Sequence, residues 1–157
     1  MKFIQKTVVL ALITMVATLF AKPVFAQAQA GDGIIGVWLN QDKDAHISVY
    51  RANNGKYYGK IAWLQRPNDA DGKPRCDVNN VNAEAKKKPL MGTLIINGFE
   101  FDEKSKEYVN GKVYNSKDGK IYAGFLRLNA DGTVYMKGGY KVAGMLIGKE
   151  NLWTKVK

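Results

Sequence analysis

The sequence reads GVW at residues 36–38 and WTK at residues 153–155, near the two ends of the part of the chain that folds. Between these stretches, short runs of alternating apolar and polar residues are separated by glycines, which is typical of β-strands joined by tight turns. The tryptophan near the start and the tryptophan with a basic residue near the end indicate that the first and last strands meet. We therefore expect one small antiparallel barrel that these two strands close.

Turn signals divide the chain between these two stretches. Residues 53–55, 117–119 and 130–132 read NNG, KDG and ADG, and Asn or Asp followed by Gly favours a hairpin because both residues tolerate positive φ. The runs around these turns show no helical periodicity. The predicted strands are residues 34–40, 45–52, 56–65, 91–101, 107–115, 120–129, 133–140 and 149–156.

The predicted fold is all-β, a single antiparallel up-and-down barrel of about eight strands. The interior of such a barrel is filled by its own side chains or holds one small ligand. One long loop, at about residues 65–89, interrupts the hairpins with three prolines and a run of lysines. Loops of this length are usually functional or disordered. We expect a short helical turn within residues 78–87, and the loop is either a lid or partner-binding element or a solvated excursion.

The N-terminal segment has the features of a secretory signal peptide. Lys2 and Lys6 precede an apolar run over residues 7–20, and the stretches VFA at 24–26 and AQA at 26–28 offer two cleavage sites. We expect residues 1–26 to be cleaved, residues 27–33 to form a short linker and residues 34–157 to form the β-barrel domain. The protein is then exported, either to the periplasm or to the medium. We expect no transmembrane helix in the remaining chain.

The chain is basic, with 24 Lys and Arg residues against 14 Asp and Glu residues and a net charge of +10. Loss of residues 1–26 removes three lysines and no acid, which leaves a net charge of +7. Outside the cytoplasm, a positive surface favours an anionic envelope component, such as lipid headgroups, acidic glycans or peptidoglycan, over nucleic acid. Scattered lysines that keep a secreted domain soluble explain the same charge, so both interpretations stay open.

Residues suited to catalysis or metal binding are few. His46 is the only histidine and Cys76 the only cysteine, so an intramolecular disulfide is excluded and a histidine-based site would depend on one residue. Glu100 and Asp102 share a strand face, and Asp77 precedes two asparagines that offer oxygens to Ca²⁺, but the other residues that such sites need are missing. We expect no catalytic residue, no metal and no cofactor, and therefore no enzyme.

Seven motifs in order resemble the bacterial domain of unknown function 2147 family. The first and last also resemble the calycin pattern, in which a basic side chain from the end of the barrel packs across the first-strand tryptophan. The resemblance covers essentially the whole mature chain and implies an exported, lipocalin-like barrel, with no activity attached. It makes Gly36, Trp38, Trp153 and Lys155 a structural clasp. The motifs are GVW at 36–38, GKIAWL at 59–64, DVNN at 77–80, KPLMG at 88–92, GKVY at 111–114, DGKIY at 118–122, and 139–155.

Aromatic residues indicate where a ligand would bind, because Trp and Tyr suit surfaces that are apolar at one end and wet at the other. Candidates on one strand face would line the interior, and those on the other would form surface pairs. We expect a binding module that holds a small apolar or amphipathic molecule in the barrel. The alternative is a cell-envelope or protein-interaction barrel with a packed interior that acts through its basic surface and long loop. The candidate ligand-binding residues are Tyr50, Tyr58, Trp63, Arg66, Asp77, Asn80, Tyr114, Tyr122 and Tyr140.

Overall fold

The computed structural model describes residues 29–156. The expected signal peptide, both candidate cleavage sites and the start of the expected linker lie outside the described residues. The chain forms a closed barrel in which the strands follow sequence order, each antiparallel to the next, which confirms the predicted fold. The elements are β1 (Gly36–Leu39), β2 (Ala45–Arg51), β3 (Tyr57–Leu64), α1 (Ala83–Lys86), β4 (Leu94–Asp102), β5 (Glu107–Asn115), β6 (Lys120–Leu128), β7 (Val134–Val142) and β8 (Met145–Lys155).

Strands β1 and β8 close the barrel. Trp38 pairs with Lys155, and Leu39 pairs with Thr154. Strand β1 ends at Leu39, so it pairs with only the last two residues of β8. Within the described residues, residues 145–153 of β8 pair with β7 alone and extend beyond the end of β1. The side-chain carbonyl of Gln41, in the β1–β2 turn, accepts a hydrogen bond from the Leu152 amide at 2.9 Å and so covers part of that edge.

Trp38 and Trp153 are both buried at this seam. The indole N–H of Trp38 donates to the carbonyl of Ile34 at 2.8 Å, so its polar atom is satisfied inside the core. The Lys155 ammonium lies 5.8 Å from the centroid of the Trp38 ring, within the range of a cation–π contact. The aliphatic stem of Lys155 also lies beside Gly36: a Cβ atom added at Gly36 would be 3.8 Å from the Cε atom of Lys155.

The hairpin of β7 and β8 is longer than the sequence predicted. We expected the strands to cover residues 133–140 and 149–156, but β7 continues to Val142 and β8 begins at Met145. A two-residue turn joins them, and both Ala143 and Gly144 have positive φ, at 47° and 82°. Positive φ at both central residues is what a type I′ hairpin turn requires. The prediction was wrong here because alanine replaces the usual Asn or Asp before the glycine.

One end of the barrel, which we call the closed end, carries the β2–β3, β4–β5 and β6–β7 turns and is covered by the N-terminal segment. A 3₁₀ turn over Asp32–Ile34 places Ile34 in the core. The Tyr57 hydroxyl donates to the Asp32 carboxylate at 3.0 Å, and the Tyr108 hydroxyl donates to the carbonyl of Gly31. The pKa of Tyr57 is raised to about 12, mainly because the hydroxyl is buried and also because it donates a hydrogen bond to Asp32.

Large side chains fill the half of the barrel next to this end. A Cβ at Gly111 would lie 2.1 Å from the ring of Phe99, and a Cβ at Gly59 would lie 3.0 Å from Ile96. The strand backbone therefore approaches the interior side chains as closely as glycine allows. The fully buried side chains of the barrel include Trp38, Ile47, Ile96, Phe99, Tyr108, Leu126 and Val134, and the buried core also includes Ala45, Leu64 and Leu90 towards the other end.

The long connection between β3 and β4 covers residues 65–93 and has regular structure of its own. Two β-bridges order it: Asn68–Pro74 lies before α1, and Cys76–Pro89 encloses α1. The helical turn expected within residues 78–87 is confirmed by α1. The connection starts and ends at the end of the barrel opposite the closed end, which we call the open end.

Candidate functional site

The open end is bordered by the β1–β2 turn, the β5–β6 turn, the connection over residues 65–93 and the tip of the β7–β8 hairpin. In a closed sheet of eight strands, the β1–β2 and β5–β6 turns lie on opposite sides. Lys117 in the second turn lies 2.6 Å from the Asp42 carboxylate and 3.6 Å from that of Asp44 in the first. These ion pairs span the open end, and the hydrogen bond to Asp42 is the main reason that the pKa of Lys117 is raised.

Three of the predicted site residues form a hydrogen-bonded group that attaches the long connection to the barrel. The carboxylate of Asp77 is buried, and it accepts hydrogen bonds from the Tyr114 hydroxyl at 2.8 Å and the Asn80 amide at 2.8 Å. The pKa of Tyr114 is raised to about 12, mainly because the hydroxyl is buried and also because it donates a hydrogen bond to Asp77. The Asn79 amide donates to the carbonyls of residues 116–117 at 3.0 and 3.2 Å. The group holds the connection against the β5–β6 turn.

Apolar side chains continue along the inward face of the sheet towards the open end. Met136 is buried inside the barrel, and in a strand Tyr140 and Val142 share its face. Their partners in β8 are Ile147 and Met145, and paired residues lie on the same face. These side chains are 57% (Tyr140), 52% (Val142), 65% (Met145) and 56% (Ile147) exposed.

Tyr122 of β6 joins the same surface, since its ring lies edge-on to that of Tyr140 with centroids 5.2 Å apart. We call the surface formed by these residues the inner wall. Next to it, a Cβ at Gly138 would meet only ordinary contacts, the nearest 3.7 Å away at Val113. A Cβ at Gly124, which pairs with Gly138, would instead lie 2.7 Å from Val113, so the space is on the β7–β8 side of the wall. The inner wall comprises Tyr122, Tyr140, Val142, Met145 and Ile147.

Polar groups lie along the edge of the inner wall. The Tyr122 hydroxyl donates to the Asp118 carboxylate at 2.6 Å; this bond raises the pKa of Tyr122 and lowers that of Asp118. Lys149 is exposed and pairs with Gly138, on the same face as the wall. The arrangement is amphipathic: an apolar surface has a cation at its margin, together with a hydroxyl that is bonded to a carboxylate.

The remaining predicted site residues lie away from the inner wall. Tyr50 and Tyr58 stack on each other on the outer face, with ring centroids 5.9 Å apart. The exposed ring of Trp63 lies 4.4 Å from that of His46, also outside. The main-chain carbonyl of Arg66 accepts a hydrogen bond from Arg75 in the long connection. The nine candidates thus separate into three outer aromatic residues, the three residues of the Asp77 group, the two tyrosines of the inner wall, and Arg66 in the long connection.

Sequence reasoning missed the aliphatic half of the inner wall. The hairpin turn at Ala143-Gly144 was not predicted. The predicted strands ended at residue 140 and began again at residue 149, so Val142, Met145 and Ile147 were not assigned to a strand face. The signal that would have found them is the apolar residue at every second position on both sides of Ala143-Gly144.

A polar cavity of about 300 Å³ lies at the closed end. Its lining includes Arg51, Lys56 and Glu100. Lys56 and Glu100 form an ion pair at 2.7 Å, and the Arg51 guanidinium donates to the carbonyl of Gly55 at 3.1 Å. Because these charged groups already have partners within the chain, this cavity is a weaker candidate for ligand binding than the inner wall.

Two further features bear on the predicted chemistry. Over residues 29–156, no group of three or more His, Cys, Asp or Glu side chains is placed to hold a metal ion. The thiol of Cys76 lies 3.5 Å from the carbonyls of Pro74 and Lys87, within the long connection. Among residues 29–156, no helix has the length and apolar character needed to span a membrane.

Comparison with known families connects this geometry to relatives. Residues 36–155 match the profile of a family described as an uncharacterized protein conserved in bacteria, DUF2147. The chain belongs to the DUF2147 family. The match runs from the first residue of β1 to the last residue of β8, and it confirms the resemblance seen in the sequence motifs. No curated protein matched the chain.

A solved structure similar to this DUF2147 protein is HP1028 from the human pathogen Helicobacter pylori, which is described as belonging to the lipocalin family. The two superpose with a TM-score of 0.63 at 23% identity, over 78% of this chain and 82% of the other. At this identity the likeness shows the fold alone. The DUF2147 barrel is therefore lipocalin-like.

Proposed function

We propose that this protein is an exported binding module that holds the apolar part of a small amphipathic molecule against the inner wall, at the open end of the barrel. One observation carries the proposal. Four apolar side chains on the inward face of β7 and β8 are each more than half exposed. Exposed apolar surface bordered by a few polar groups is characteristic of ligand sites.

Packing elsewhere in the barrel supports this location. Phe99 and Tyr108 are buried in the closed half, and Tyr108 packs edge-on against Tyr57 with centroids 5.0 Å apart. A ligand would have to displace these rings to bind deep in the barrel. The ion pairs of Lys117 also span the end from which such a ligand would enter.

Charge favours a ligand with a polar or anionic head. Lys149 lies at the margin of the inner wall, and the chain as a whole carries an excess of positive charge. A ligand with its apolar part on Tyr140 and its head near Lys149 would bury apolar surface and keep the charged group partly in water. The signal-peptide pattern of residues 1–26 supports a site of action outside the cytoplasm.

The Tyr140→Ser substitution tests the proposal. We expect it to weaken binding of the anionic, amphipathic dye 1-anilinonaphthalene-8-sulfonate by about five- to tenfold, since partial burial of an aromatic ring contributes about 1–1.5 kcal/mol. The measurement is a fluorescence titration of protein recovered from the periplasm after expression of the full chain. Intact mass of the same sample shows whether residues 1–26 were removed.

Tyr50→Ser is the matched control, because Tyr50 is a partly exposed tyrosine in a ring pair on the outer face. Its dye affinity is expected to stay within twofold of the unsubstituted protein. Equal losses in both variants, or no saturable dye binding at all, would contradict a ligand site on the inner wall. An intact mass that retains residues 1–26 would contradict export.

A further inference from the structure

We infer that the tip of the β7–β8 hairpin is a docking element for an anionic lipid bilayer. This inference goes beyond the proposed ligand site and does not rest on it, because the ligand-free protein is expected to dock. The tip is defined by residues 138–149, and it combines exposed apolar side chains with unopposed positive charge.

The apolar part of the tip is suited to the interfacial region of a bilayer. Val142 and Met145 flank the turn, and each is more than half exposed. Ile147 and Tyr140 form the next pair along the hairpin, on the same face. Aliphatic side chains that enter the headgroup region, with a tyrosine behind them at the level of the interface, are typical of peripheral membrane attachment.

The charge of the tip selects the kind of surface. Residues 138–149 contain Lys141 and Lys149 and no acidic residue, and both lysines are exposed. The adjoining Lys137 and Glu150 pair with each other at 3.0 Å, so they add little net charge. A tip with net positive charge is attracted to anionic headgroups and gains little from neutral ones.

The position of the tip leaves it accessible to a flat surface. It lies at the open end, where β8 extends past β1, and the covering 3₁₀ turn and the packed core lie towards the other end. Insertion of the tip would require no rearrangement of the barrel. Because four of the five inner-wall residues belong to the tip, most of the inner wall would then lie in the interfacial region of the bilayer.

Flotation with lipid vesicles tests the inference without any added ligand. The secreted protein is expected to float with vesicles of phosphatidylcholine mixed with phosphatidylglycerol and to stay unbound with phosphatidylcholine alone. The double variant Val142→Ser/Met145→Ser is expected to bind the mixed vesicles at least about tenfold more weakly. Lys141→Gln/Lys149→Gln is expected to lose about fivefold per lysine.

Matched controls come from the outer face of the barrel. Ile121 is 61% exposed. Ile121→Ser therefore removes about as much exposed apolar surface as either single substitution in the Val142→Ser/Met145→Ser variant. Lys60→Gln/Lys112→Gln removes two exposed lysines away from the tip. Both controls are expected to retain most of the vesicle binding. Thermal unfolding of every variant is expected to match that of the parent, since the substituted side chains are exposed.

The outcomes separate docking from other uses of the tip. Failure to bind phosphatidylglycerol vesicles, or equal losses in the tip variants and their controls, overturns the inference. A dimer in sedimentation experiments that the Val142→Ser/Met145→Ser variant abolishes, without vesicle binding, overturns it in favour of a second copy of the chain. Dye binding is measured on the protein without vesicles and tests only the ligand site, whereas flotation tests only docking. Failure of docking and failure of the proposed ligand site are therefore distinguishable.

Discussion

Replacement of Trp38 by alanine is expected to lower the free energy of unfolding by about 3–5 kcal/mol, because it empties a fully buried site at the seam of the barrel. Trp38 is 1% exposed and its indole N–H is bonded to the carbonyl of Ile34. The change also removes the ring beneath the Lys155 ammonium. A domain of this size is stable by about 5–15 kcal/mol, so the substitution removes a substantial part of the free energy of unfolding.

Urea denaturation followed by far-ultraviolet circular dichroism measures this effect, since tryptophan fluorescence changes with the substitution itself. Trp63→Ala is the matched control: Trp63 lies exposed on the outer face against His46, and its loss is expected to remove no more than about 1 kcal/mol. If Trp38→Ala lowered stability as little as Trp63→Ala does, the seam between β1 and β8 would not hold the barrel closed.

Gly111→Ala is expected to destabilise the barrel by about 1–3 kcal/mol, or more if the core cannot shift. The added methyl group would lie 2.1 Å from the ring of Phe99, which is fully buried and so has little room to move. The effect comes from crowding in the folded state. The same denaturation experiment measures it.

Gly138→Ala is the control for this substitution, on the same inward face but beside the inner wall. A Cβ there would meet Val113 at 3.7 Å, an ordinary contact. We expect little change, or a gain of less than about 1 kcal/mol from reduced freedom of the unfolded chain. Equal destabilisation by the two substitutions would contradict the difference between the crowded site beside Phe99 and the space beside Gly138.

The fold could be predicted because its main determinants are local and repeated. Turn signals such as Asp118-Gly119 fix hairpins one at a time, and consecutive hairpins build an up-and-down barrel without long-range information. The start of β8 could not be predicted in this way. Ala143 adopts positive φ at 47°, a conformation that costs alanine free energy. The pairing of Val142 with Met145, together with the rest of the hairpin ladder, stabilises the turn.

The candidate site was only partly predictable for a related reason. Alternation places Tyr122 on one strand face, but which face lies inside depends on register across strands. Asp77 was predicted as a ligand-binding residue, and its burial beneath Tyr114 depends on how the long connection folds back onto β5. Such contacts between residues distant in sequence leave no periodic signal. The aliphatic part of the inner wall depends on the turn at Ala143-Gly144.

The most direct test of a ligand site at the open end is a paramagnetic relaxation experiment with a spin-labelled fatty acid bound to the protein. We expect the strongest loss of amide signal at Gly138, Tyr140 and Ile147, along the inner wall. Signal loss centred on Tyr108, in the closed half, would place the ligand deep in the barrel and contradict the account. Signal loss centred on the outer pair at Tyr50 would contradict it as well.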